Sequence, residues 1–308
     1  MSVKTNIVAR IALRKLWLLI LLLPLCVTVR AQHWIGLAVG AGPAWTLDTI
    51  GIASLKTGVA GGLGFTYQFQ YSRFILETGL GAAVSSCAVG VQDSVWRYAM
   101  VDTRGQAFVY SLASEQRTDI ARSVALTVPL LAGVEYGHFY GLAGVRLHLH
   151  LLTRTQQRAL VRTAGEYDIY YEPLEDVPSH GFREQEACIT RGTMRYRPDL
   201  RAVLELGAAF RSPAGSPKYR VGAYVEYGLL NVRPAASSPS LPLAEPDMSA
   251  MSVTMHHLYA SDVSAASPVH PLSCGIRFSV LFSVGDVNVR YFSRYRRPGN
   301  SCHCLGNL

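Results

Sequence analysis

The feature that most constrains this chain is strict alternation that ends at a two-residue turn. Phe65, Tyr67, Phe69 and Tyr71 share one face of an extended segment, while Thr66, Gln68 and Gln70 share the other. A period of two belongs to a strand and not to a helix. Ser72-Arg73 then breaks the run, and Phe74 opens a second alternating segment. Residues flanking a two-residue hairpin turn face each other and point to the same side. Tyr71 and Phe74 therefore join two apolar faces without interruption. The arrangement recurs at Tyr136-Gly137-His138-Phe139, and Phe210 and Tyr219 flank a third short turn rich in Pro, Gly and Ser.

Extending the alternation from these turns gives eight strand segments, roughly 34–43, 57–71, 74–84, 124–136, 139–150, 200–210, 219–227 and 272–282. One face of each is apolar. The short turns fall at 72–73, 137–138 and 211–218, and long polar loops at 46–56, 92–122, 153–199 and 233–271. Short turns on one side and long loops on the other are the signature of bacterial membrane barrels. The predicted fold class is thus all-β, an eight-stranded antiparallel up-and-down transmembrane β-barrel with short periplasmic turns and long extracellular loops. Phe69, Tyr71, Phe74, Tyr136, Phe139, Phe210, Tyr219 and Phe282 would form its periplasmic aromatic girdle, because such rings suit an interface that is apolar on one side and wet on the other. Pro129 sits inside a segment and cannot donate a ladder hydrogen bond, which predicts a bulge there.

The amino terminus is a separate matter. Lys4, Arg10, Arg14 and Lys15 precede an apolar run over 16–29, and Val29-Arg30-Ala31 offers small residues where a signal peptidase reads. This predicts a signal peptide over 1–31, cleaved between Ala31 and Gln32. The chain holds 29 basic and 21 acidic residues. Five of the basic ones lie before residue 32. Four more, Arg290, Arg294, Arg296 and Arg297, lie in a tail over 283–308 against the single acid Asp286. The remaining body, 32–282, is close to neutral, so the basic character argues for no nucleic-acid partner. Beyond the leader, no apolar run approaches the ~20 residues of a spanning helix.

The polar faces carry Glu77, Glu135, Arg146, Arg201, Glu205, Arg220, Glu226 and Arg277, with glycine at many positions between them. An unpaired charge inside a narrow barrel costs several kcal/mol, so these predict an interior Arg–Glu network. Counting from the turns puts Arg146, Glu205, Glu226 and Arg277 near mid-height on their strands, a layer that barrel shear displaces, so the pairs stay open. A soluble ligand-binding barrel would instead put the bulky apolar residues inside, where eight strands leave no room for them.

At this point the residues resemble a known group, the small outer-membrane β-barrel proteins of the Bacteroidota (PorT-like, with a barrel like those of OmpA and OmpX). The segments that carry the resemblance are 58–81 (GVAGGLGFTYQFQYSRFILETGLG), 128–149 (VPLLAGVEYGHFYGLAGVRLHL) and 273–282 (SCGIRFSVLF). The last resembles the strand signal read by the barrel-insertion machinery, which the resemblance implies as a partner during assembly. It also implies a place in the outer membrane among its lipids, and a role as an accessory part of a secretion or surface-assembly system. The chain departs from the usual form in running on past Phe282.

Several residues admit a chemical reading. His148 and His150 share one face, a spacing that suits lumen filling, a metal or a general base. The sequence ties no serine or carboxylate to them, and the lumen-filling reading is preferred. Cys87 and Cys188 both map to outer regions and could form a disulfide in an oxidising compartment. Cys302-His303-Cys304 falls short of a full tetrahedral metal set. No cofactor, metal or catalytic residue is predicted. The main functional expectation is a non-enzymatic structural or interaction protein whose tail 283–308 could meet a periplasmic partner. A narrow gated channel and a membrane-embedded lipid hydrolase or acyltransferase are the alternatives.

Overall fold

The computed structural model describes residues 31–102, 104–212, 217–233, 241–247, 252–262 and 267–284, with backbone only for 185–188. The predicted signal peptide, the tail and its Cys302-His303-Cys304 motif lie outside the described residues. Among the described residues there are twelve strands where the sequence predicts eight. They are β1 (Gln32–Asp48), β2 (Ala53–Tyr71), β3 (Phe74–Val91), β4 (Ser94–Val101), β5 (Ala107–Tyr136), β6 (Phe139–Glu166), β7 (Glu184–Met194), β8 (Asp199–Arg211), β9 (Lys218–Gly228), β10 (Ala244–Asp247), β11 (Ser252–Met255) and β12 (Val269–Val284).

Ten of these strands form one sheet in the order β4-β5-β3-β2-β1-β12-β9-β8-β6-β7, and β5 also pairs with β6. The path β1-β2-β3-β5-β6-β8-β9-β12 therefore returns to β1, and the sheet closes on itself. Every pairing between these strands is antiparallel. At the short turns Tyr71 pairs with Phe74, Tyr136 with Phe139, and Phe210 with Tyr219.

The extra strands come from the far end. β5 and β6 run together from Tyr136↔Phe139 to Val109↔Glu166, well past the ends of β3 and β8. On that extension β4 pairs with β5, and β7 pairs with β6. Most of 92–122 and much of 153–199 is therefore strand and not loop. The physical reason is that the two faces lose their contrast. Up to Val124 and Leu152 the outward side chains are apolar, but Arg122, Thr118, Arg154 and Arg158 continue outward beyond them. Inward, the buried Phe108, Tyr110, Leu112 and Val161 follow the buried polar Arg117, Asp119 and Gln157. Register shifts between Glu115 and Thr118 and between Val124 and Ala125 add to the break in pattern, and Gln116 sits at φ 50°. No shift occurs at Pro129, which pairs with Arg146 in continuous register, so the predicted bulge is absent there. Its carbonyl accepts a hydrogen bond from the Thr78 hydroxyl at 3.0 Å instead.

The predicted loop 233–271 also carries structure. β10 and β11 form a two-stranded hairpin, and a short 3₁₀ helix spans Leu258–Ala260. Leu243, Leu258 and Tyr259 pack with Ile50, Val89, Val91 and Val269 over the far mouth of the ring. Ala244, Val253 and Met255 pack with Phe108, Tyr110 and Leu112 on the inner face of the extension. Tyr167, just past the end of β6, stacks on Phe108 at 4.8 Å. The ring is thus covered at its far end by an apolar cap built from its own chain.

Candidate functional site

The interior of the ring is filled by charge arranged in three layers. Nearest the short turns, Glu135 receives Lys218 at 2.8 Å and Arg211 at 2.6 Å. Lys218 and Arg211 also sit over the Trp34 ring, at 4.9 and 5.6 Å from its centroid. Both residues fall in the predicted turn 211–218. The turn is shorter than its composition suggests, since β8 continues through Arg211 and β9 begins at Lys218.

The middle layer is a closed square. Glu77 meets Arg220 at 2.8 Å and Arg277 at 2.9 Å. Glu205 meets the same two guanidinium groups at 3.3 and 2.9 Å. Tyr140 donates its hydroxyl to Glu205 at 2.7 Å, Arg220 donates to Gln68, and Arg277 donates to Thr66. The Tyr140 ring lies under Arg220, 4.3 Å from its guanidinium carbon. Glu77, Glu205 and Arg220 are completely buried. Two carboxylates against two guanidinium groups leave this layer neutral.

The upper layer holds Arg146 paired with Glu226, and Arg201 paired with Asp199 at 2.6 Å and with Glu226 at 3.8 Å. Arg146 and Glu226 therefore lie one layer above Glu205 and Arg277, a displacement of the kind barrel shear produces. Tilt of the strands in a closed sheet displaces equal counts from the turn to different heights. A cavity of about 90 Å³ is lined by glycines of β1–β3 on one side and by Arg146, Glu226 and Arg277 on the other.

His148 and His150 point into the upper layer. His148 approaches Glu226 at 3.6 Å, and the two imidazoles are 6.5 Å apart. His150 Nδ1 lies 2.7 Å from the Ser123 hydroxyl, a partner the sequence reading does not supply. The pair lacks a carboxylate on His150 among the described residues, and Ser123 is buried and faces the interior. That placement keeps the hydroxyl inside the ring.

A second polar cluster fixes the cap, and the sequence reading assigns its residues to loops. Arg117 and Asp119 on β5 form a fully buried pair at 2.8 Å. Arg117 donates to the carbonyl oxygens of Leu243 and His256. Asp119 accepts the Leu258 amide at 2.7 Å, and Tyr259 donates to Asp48 at 2.7 Å. Burial, reinforced by the hydrogen bond to Asp48, raises the pKa of the Tyr259 phenol. Burial lowers that of His257 to about 4, with Asp119 opposing and Arg117 assisting. His257 is neutral near pH 7, so its Nδ1 can accept the Tyr259 amide.

The outside of the ring is apolar. Leu37, Leu63, Leu80, Val84, Leu130, Leu204, Leu206 and Ile276 are all more than half exposed. Among the aromatics of the short turns, Phe139, Phe74 and Tyr136 are the most exposed, Tyr71, Phe210, Tyr219 and Phe282 less so, and Phe69 is half-buried. Arg73 lies over the Tyr136 ring at 4.6 Å. Among the described residues, no helix is long and apolar enough to cross a membrane.

The chain matches no protein-family model and no curated protein. Among solved structures it is similar to the crystal structure of Ail, the attachment invasion locus protein of Yersinia pestis, in complex with the heparin analogue sucrose octasulfate. That similarity has 7% identity and a TM-score of 0.23, and covers 80% of this chain and 99% of the other.

Cys87 is a free thiol in the structure, half-buried in the interior. The Cys188 side chain lies outside the described residues. Its backbone pairs with Ala159, whereas Cys87 pairs with Ala121 on the far side of β5, so the register holds the two three strands apart. Disulfide partners need Cα atoms within about 7 Å. Cys274 is also free and half-buried on the outward side.

Proposed function

We propose that this chain is an outer-membrane β-barrel acting as a structural or interaction protein and not as an enzyme. The observation that carries the reading is the inverted distribution of polarity. Bulky apolar side chains stand outward on every strand of the ring while charges fill its centre. From Phe139 to Leu151 the strand rises about 40 Å, or about 28 Å along the axis at a tilt of about 45°, which suits the ~25 Å apolar band of outer-membrane barrels. The aromatic short turns then face the periplasm, after export directed by 1–31, and the β4–β7 extension stands outside the cell.

The neutral middle layer and the cap weigh against a channel. The inward, buried position of Ser123 and His150 weighs against lipid hydrolysis. The resemblance of 58–81, 128–149 and 273–282 to PorT-like proteins supports an accessory role in secretion or surface assembly. In that role the extension and the tail 283–308 supply the contacts.

The test is partition of the full chain into detergent, together with heat-dependent migration on a gel, which intact barrels display. A chain that stays in the aqueous phase and needs no detergent refutes the reading. Pull-down from solubilised membranes with and without 283–308 tests the partner. Recovery of the same proteins in both cases removes the tail from the proposal.

A further inference from the structure

The register brings basic residues together on the outer face of the extension, directly above the apolar band. Arg122 on β5 pairs with Arg154 on β6. Two residues farther along, Gln156 pairs with Arg191 on β7, and two residues beyond that Thr118 pairs with Arg158. Lys56 reaches over from β2 and donates to the Thr118 hydroxyl at 2.6 Å. All five basic residues are exposed. None of them forms an ion pair among the described residues, whereas Arg162, farther out on β6, is held by Glu115 and Glu184. The row immediately below is Val84, Val124 and Leu152, with Leu151 beside it, all outward and exposed. Adjacent rows on one face are about 7 Å apart. Polar and apolar ligands would therefore meet this face within the length of one lipid headgroup.

Between Lys56 and Arg158 the surface is hollowed. A groove of about 600 Å³ is floored by Gly90 and Thr118 and flanked by Ser54 and Gln116. The Ser54 hydroxyl and the Lys56 stem close over Gly90, where a Cβ would stand 2.2 Å from that hydroxyl. Uncompensated arginines in a fork suit phosphate oxygens, which guanidinium groups bind in bidentate fashion.

We propose that Arg122 and Arg154, with the groove that Lys56 and Arg158 line above them, bind the phosphorylated headgroup of a glycolipid in the outer leaflet, whose acyl chains lie along Val84, Val124 and Leu151. The proposal rests on the reading of the ring as a membrane barrel. A lipid is favoured over a soluble anion because the basic face adjoins the apolar band with no acidic row between them. The carboxylates begin only above Arg158, at Glu115.

The test uses the full chain reconstituted in phosphatidylcholine bilayers containing diphosphorylated lipid A, or lipid A with its phosphates removed. Retained lipid is read by native mass spectrometry. Diphosphorylated lipid A should be retained and the dephosphorylated form should not. The triple variant R122Q/R154Q/R158Q should weaken retention about a hundredfold, since each basic residue near an anionic surface contributes roughly a factor of five. R162Q, which removes a paired arginine, should change it little. Equal retention by the triple variant, or of dephosphorylated lipid A, overturns the proposal. So does binding of a soluble sulfated glycan in place of lipid A. Heat-dependent gel migration of the same samples keeps the two failures apart. A chain that does not insert refutes the barrel, and a chain that inserts but retains no lipid A refutes this site alone.

Discussion

Tyr140 and Glu205, on neighbouring strands β6 and β8, are joined at 2.7 Å by a hydrogen bond that the phenol donates into the centre of the ring. The bond depends on Gly222, since a Cβ at that position would stand 2.3 Å from the Tyr140 hydroxyl. Hydrogen bonds to a charged group contribute about 1.5–3 kcal/mol. Tyr140→Phe should therefore lower stability to unfolding by about 2 kcal/mol, and Gly222→Ala should lower it at least as much. Urea unfolding in lipid vesicles, followed by tryptophan fluorescence, measures both. Because the two changes break the same bond, the double variant should lose less than the sum of the singles.

The square of Glu77, Arg220, Glu205 and Arg277 makes a stronger claim. Removing one carboxylate leaves two buried guanidinium groups sharing the other. Breaking a buried pair from one side costs about 3–5 kcal/mol. Glu77→Gln should accordingly destabilise the chain by that order. Replacing two paired partners together, as in Glu205→Leu with Arg277→Leu, should cost less than Glu205→Leu alone. The same variants serve as a test of conduction. Recordings in planar bilayers should be silent for the wild-type chain. An ion current altered by Glu205→Gln would mean that the layer lines a path.

The sides of these residues are legible in the sequence because the strands near the short turns keep an unbroken period of two. Glu77, Glu205 and Arg277 alternate with Leu76, Leu204 and Phe278, which stand outward. Their heights are not legible, because they depend on the tilt of a closed sheet and not on counting from a turn. Arg117 and Asp119 are hidden for a different reason. Beyond Val124 both faces mix polar and apolar side chains, with Arg122 and Ile120 outward and Ala121 inward beside Asp119, so a rule that equates apolar with outward stops working where the strand continues. Asp199, Arg211 and Lys218 lie at strand ends, where turn composition masks the pairing. Ser123 becomes a partner of His150 only through the β5–β6 register, which no local pattern states.

The cap offers a prediction separable from the ring. Asp119 holds both the Arg117 guanidinium and the Leu258 amide. Asp119→Ala should leave Arg117 buried without its carboxylate and weaken the attachment of 241–262 by about 3–5 kcal/mol. Limited proteolysis of the barrel in detergent should then cut within 241–262 far faster than in the wild type. Heat-dependent gel migration should be unchanged, because a side-chain change at Asp119 leaves the backbone pairings of β5 with β3 and β6 in place. Loss of both together would mean that the cap and ring unfold as one unit.

His257 gives the cap a dependence on pH whose sign follows from its burial. An unfolded histidine takes up a proton near pH 6.5, while His257 in the closed cap resists protonation until about pH 4. Between those values the open form binds more protons than the closed one, so the closed form loses stability as pH falls. The contribution is fully present above pH 6.5 and declines toward pH 4, with a total of order 3 kcal/mol. Protonation also removes the Nδ1 acceptor that meets the Tyr259 amide at 3.3 Å, so the local effect and the linkage have the same sign. Hydrogen exchange of the amides of 252–260, corrected for the intrinsic rate, should show protection at pH 7.5 that falls at pH 5. His257→Asn keeps a side-chain acceptor but does not titrate, and should flatten that dependence. A wild-type cap equally protected at both values would show that His257 does not control its opening.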